Sequence, residues 1–90
     1  MFISLAFDFM STETQKEITG LLKEYGINKV FDNLYESYDF PLAKLGHLKK
    51  DITGFLDMDD KLRIYQFPVD NSFKISYIED RKWKRLSFVK

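Results

Sequence analysis

The chain has 90 residues, no cysteine, and 14 basic against 14 acidic side chains, for a formal net charge of zero. That length holds one domain. The lack of cysteine excludes a disulfide framework or thiolate metal centre, and the balanced charge argues against a generally basic nucleic-acid binder. Hydrophobic residues at 44%, 17% of the chain being aromatic, favour a packed core over disorder.

Phe2–Phe7 is an apolar, strand-forming run that meets Asp8 at once, and it reads as a central strand covered on both faces. It lacks a basic n-region, so it does not read as a signal peptide. No apolar run approaches the ~20 residues of a membrane span, so a cytoplasmic protein without membrane contact is expected. Thr12 and Gln15 are spaced as a capping box. Ile18, Leu21, Leu22 and Tyr25 then form one helix face, and Gly26 suits a left-handed C-terminal cap.

Alternation fails around Asp32-Asn33, so residues 28–38 read as two short strands or one broken strand. Asp39 and Pro41 suit the start of a second helix, with Leu42, Leu45, Leu48, Ile52, Phe55 and Leu56 as its buried stripe. Asp57, Asp59 and Asp60 read as a solvated turn, without the glycine and distal glutamate of a calcium loop. Lys61–Phe67 alternates as a strand closed by Pro68. Asp70-Asn71 turns the chain into Phe73–Ile78, and an apolar piece follows at Leu86–Val89. This order predicts an α+β, ferredoxin-like βαββαβ fold with an antiparallel sheet, two helices on one face and an extra C-terminal strand. Residues 1–80 form the domain, and 81–90 form a basic C-terminal segment.

The zero net charge hides an asymmetry. All 14 acids and nine of the 14 basic residues lie within residues 1–80, a balance of −5, while the last ten residues carry +5. Clustered Lys and Arg release counterions from a polyanion, which makes Arg81, Lys82, Lys84 and Arg85 candidate nucleic-acid contacts. Such a segment also serves to solvate the chain or to pair with its own acids. Trp83, between these cations, either stacks on a ligand or seals the edge of the core.

Three segments carry a family resemblance. The strand Ser4-Leu5-Ala6-Phe7-Asp8 is the first. The helix end Leu22-Lys23-Glu24-Tyr25-Gly26 with Val30-Phe31-Asp32-Asn33-Leu34-Tyr35-Glu36, similar to a "VQxSVFE" stretch, is the second. Leu62-Arg63-Ile64-Tyr65-Gln66-Phe67, similar to "VRIYPL", is the third. Together, over residues 1 to about 70, they resemble the CRISPR-associated protein two family. The resemblance implies a homodimer that binds duplex DNA as the central scaffold of a spacer-acquisition complex, alongside a larger integrase subunit that performs the transesterification. It also implies that the C-terminal strand pairs with the other protomer. Near the first helix this chain offers Glu13 and Lys16 where members carry several basic residues, so Lys16 is the one DNA contact expected there.

The resemblance further implies Asp8 as the catalytic and metal residue of a Mg²⁺-dependent endonuclease acting on RNA or DNA. A hard cation prefers oxygen ligands, and a two-fold dimer would supply a second Asp8 to a site that activates water. Asp8 equally suits a structural role at the start of the following helix. A toxin-like ribonuclease of the virulence-associated protein D type shares the fold and a strand-end Asp. His47, the single histidine, excludes two-histidine catalysis and reads as a surface or boundary residue.

Overall fold

The computed structural model describes residues 1–67 and 72–89. Pro68, Asp70 and Asn71, assigned above to a strand end and a turn, lie outside the described residues. Six strands and two helices follow in order: β1 (Phe2–Asp8), α1 (Thr12–Glu24), β2 (Asn28–Phe31), β3 (Leu34–Ser37), α2 (Leu45–Phe55), β4 (Lys61–Phe67), β5 (Ser72–Glu79) and β6 (Lys82–Val89). The strands form one antiparallel sheet in the order β2-β3-β1-β4-β5-β6. Its first four members have the ferredoxin-like arrangement, in which each helix carries the chain over one strand. Strands β5 and β6 extend that sheet beyond β4, and β6 pairs along its length with β5 of the same chain.

Side chains of a strand alternate between the two faces of its sheet. On β1, Ile3, Leu5 and Phe7 are buried in one core with Ile18 and Leu22 of α1, Leu48 and Ile52 of α2, and Leu62 and Ile64 of β4. Each such apolar side chain contributes roughly 1.5–3 kcal/mol when fully buried. Phe2, Ser4, Ala6 and Asp8 point the other way, to a face that neither helix covers. The expectation of a β1 covered on both faces is therefore corrected. A two-layer fold of this size supplies helices for one side only.

The ends of α1 are set locally. Ser11, in extended conformation, is the N-cap, and its Oγ accepts from the Thr14 amide at 3.1 Å. The cap thus sits one residue ahead of the Thr12–Gln15 box. At the other end Gly26 adopts φ 75°. Its amide donates to Lys23 O at 3.0 Å and that of Ile27 to Leu22 O at 2.9 Å, the paired bonds of a Schellman cap. Next to this cap the Tyr25 hydroxyl donates to Asp51 Oδ2 at 2.7 Å, joining the two helices. That bond to a carboxylate pushes the phenol pKa up to about 12.

The break at Asp32-Asn33 is a hairpin turn with Asn33 at φ 65°, and the register shifts between Lys29 and Phe31. Helix α2 begins later than Asp39 and Pro41 suggest. A 3-10 turn, Leu42–Lys44, precedes it, and Pro41 holds extended backbone without a side-chain cap bond. Leu42 and Phe55 are consequently exposed, while Phe40 and Leu56 fill the core.

Asp60 corrects the reading of a solvated acidic turn. It is 2% exposed, and its carboxylate accepts from Met10 N and Asp57 N, each at 2.8 Å. One side chain thereby ties the β1–α1 connection to the α2–β4 connection. Bonds to a charged acceptor contribute about 1.5–3 kcal/mol each, and removing the acceptor leaves both donors unpaired. Asp60→Ala should lower stability by about 3 kcal/mol in urea unfolding, and Asp60→Asn, which retains one oxygen, by about half as much. A midpoint unchanged in both variants would refute this role.

Candidate functional site

Asp8 ends β1 on the uncovered face and is exposed, opposite Lys61 on β4. It accepts no hydrogen bond from the start of α1, where Ser11 does the capping. The carboxylate is thus presented outward at one end of the open face. Among the described residues no group of three or more His, Cys, Asp or Glu side chains is placed to hold a metal ion. Within one chain Asp8 offers a single carboxylate. A nearby groove of about 410 Å³ contains Asp59, Asp60, Lys61, Glu79 and Asp80, but Asp60 is already engaged by two backbone amides.

The uncovered face grades from charged to aromatic along the strands. At the Asp8 end, register places Lys61, Glu79 and Lys82 in the same row across β4, β5 and β6. The next row holds Ala6, Arg63, Tyr77 and Lys84, with the Arg63 guanidinium 5.4 Å from the Tyr77 ring centroid. Tyr65, Ile75 and Leu86 follow. Aromatic rings close the far end, where Phe2 packs against Tyr38 and Phe67, each at 5.3 Å between centroids, and Phe67 against Phe73 at 4.8 Å. Tyr38 is 80% exposed, Phe67 47% and Leu86 40%. No single motif in the sequence announced this surface. Its signal was the period-2 spacing of Tyr65/Phe67, Phe73/Ile75 and Leu86 on strands whose other faces are buried or polar.

The basic segment is not one patch. Asp80 and Arg81 both adopt positive φ, 51° and 61°, making a two-residue turn of the type that matches strand twist. Strand β6 starts immediately, at Lys82, so its side chains alternate between faces. Lys82 and Lys84 lie on the uncovered face, and Lys84 pairs with Glu79 at 3.4 Å. Trp83 and Arg85 lie on the helix side, opposite Ile78 and Ser76. Lys16 is exposed on α1, beside a groove of about 320 Å³ that also contains Lys29 and Asp32 of the β2–β3 hairpin. It stands near the opposite edge of the sheet from β6. His47 is exposed on α2.

Trp83 seals the edge of the core. Its ring packs against the central cluster, and its indole N–H donates to Thr53 Oγ1 at 2.8 Å. Thr53 donates in turn to Lys49 O at 2.8 Å. Arg81 Nη2 donates to Thr53 O at 3.3 Å, meeting a free carbonyl in the last turn of α2, where a cation also complements the helix dipole. Three side chains thus fasten β6 to α2.

The chain matches no family model and no curated protein. The fold and site define a ferredoxin-like domain with two added strands, an uncovered aromatic sheet face, and cations on both sides of its last strand. Thr53→Val keeps the shape of the side chain but removes the acceptor for the indole. It should cost about 1 kcal/mol and shift the emission of Trp83, the single tryptophan. Unchanged stability and emission would show that the bond does not hold β6 in place.

Proposed function

We propose that the chain acts as a homodimeric scaffold that holds the backbone of duplex DNA beside a spacer integrase, in the cytoplasm, as its motif resemblance implies. The observation that carries this reading is the uncovered sheet face. Exposed contiguous apolar surface of this kind marks an interaction site. The face also mixes Asp8, Glu36 and Glu79 with Lys61, Arg63 and Lys82, so a two-fold partner of identical sequence can meet it with opposite charges. A dimer closed through this face leaves the helices and the helix side of β6 outward for DNA. Backbone contacts position a duplex without reading its sequence, so the integrase would supply the chemistry.

The expected solution mass is twice the 10.7 kDa of the chain. Phe67→Asp, which buries a charge in the interface, should give monomers in sedimentation and weaken duplex binding. Wild-type binding should ignore sequence and fall linearly in log K against log salt concentration. A monomeric wild type, or binding indifferent to salt, would overturn the proposal.

One observation supports a second reading, a Mg²⁺-dependent phosphodiesterase. Asp8 lies on the same uncovered face and faces outward, so a dimer formed there has the means to pair two Asp8 carboxylates around a hard cation. Asp8→Asn should then abolish Mg²⁺-dependent cleavage of RNA or DNA while the dimer persists. Cleavage at the wild-type rate in that variant would rule Asp8 out as the catalytic residue.

A further inference from the structure

Five basic side chains lie on β6, on the turn before it or over its Trp83 ring, and they are differently engaged. Arg81 is bonded to the Thr53 carbonyl. Lys84 is paired with Glu79, and Lys82 shares its face of the sheet. Lys49 and Arg85 remain. Lys49 Nζ sits over the Trp83 ring, 5.4 Å from its centroid, and Arg85 projects on the same side of β6 as Trp83. Neither has a carboxylate within ion-pair distance among the described residues, where the ion pairs are Lys29–Asp32 and Lys84–Glu79.

Lys49 over the Trp83 ring and Arg85 two residues along the same face of β6 are two cations, one of them half-buried, whose repulsion is unfavourable without an anion. Burial pushes the Lys49 pKa down, and the charge of Arg85 pushes it the same way. Thr53 holds the ring beneath Lys49 in place through the indole bond, so the lysine rests on a fixed platform. A bound anion would offset the repulsion that folding leaves in place.

We propose that Lys49 and Arg85, with the Trp83 ring under the lysine, form a phosphate-binding site whose ligand is the phosphodiester backbone of a nucleic acid. The choice of ligand rests on the DNA-holding reading above; the site itself rests on the geometry. Guanidinium and ammonium together suit one phosphate group, the first as a planar fork and the second as a point charge. The site opens on the helix side of β6, away from the aromatic face, so it stays accessible in a dimer closed through that face. It also divides the labour among the basic residues. Lys49 and Arg85 bind phosphate, Arg81 caps a helix, and Lys82 and Lys84 belong to the other face.

The single tryptophan lies inside the site, so its emission reports occupancy. Wild-type protein would be titrated with inorganic triphosphate and, separately, with a short duplex of mixed sequence. Both should change Trp83 emission. The double variant Lys49→Gln/Arg85→Gln should lose the triphosphate response. It should also flatten the log–log salt dependence of duplex binding by about 0.9 for each phosphate contact removed. Lys82→Gln/Lys84→Gln should keep the triphosphate response. Arg85→Glu, which leaves Lys49 on its ring, should lose it too, with thermal melting checked for every variant.

Duplex binding with wild-type affinity and salt slope in both Lys49/Arg85 variants would overturn the site while leaving the DNA-holding function intact. A wild type that responds to triphosphate but not to duplex would overturn the nucleic-acid ligand and that function together.

Discussion

Strand β1 is hydrogen-bonded along both edges, to β3 and to β4, and its side chains alternate between two unlike surroundings. One set, Ile3, Leu5 and Phe7, anchors the helices. The other set ends in Asp8 on a face with no helix over it. Two helices spanning 13 and 11 residues cover one side of the sheet, and no helix among the described residues covers the second. Both the stability of the core and the character of the outer surface therefore follow from which residues of β1 are odd and which are even.

The order of elements was legible because each leaves a local chemical trace. The helix face from Ile18 to Tyr25, the left-handed glycine at 26 and the broken alternation at Asp32-Asn33 each correspond to a feature of the fold. Sidedness was less legible. A near-continuous apolar run fits a strand buried on two faces as well as one that presents Phe2 and Ala6 to a bare face. Local composition does not separate these cases, since the difference lies in how many helices are left over. Asp60 was misread for a similar reason. Its neighbours are solvated, and only the meeting of two connections distant in sequence supplies the amides that make its burial favourable.

The candidate site was legible as composition and not as arrangement. Arg81, Lys82, Trp83, Lys84 and Arg85 look like one cationic patch because they are consecutive. The turn at Asp80-Arg81 begins the strand at once, so the period of 2 sorts them onto opposite faces. Lys49, thirty-six residues before Arg85 in the chain, joins them only through the packing of α2 on β6. Local helix spacing could not single it out from Lys44 or Lys50. The indole of Trp83 made the connection, because its N–H needs an acceptor when the ring enters the core and Thr53 is where it finds one.

The two rims of the sheet are unlike each other, and both discourage growth. Strand β2 is four residues long with a register irregularity, too short to template another strand. Strand β6 is twice that length, but lysine or arginine occupies positions 82, 84 and 85. An incoming copy aligned along it would bring like charges together. Short, irregular or lysine-rich rims are how natural sheets resist fibrillar stacking. If the broad side closes the proposed dimer, repelling rims would stop assembly at two copies, because that side is used up once it is met. The cations of β6 thus guard one rim of the sheet against edge pairing, a role separate from the proposed phosphate site.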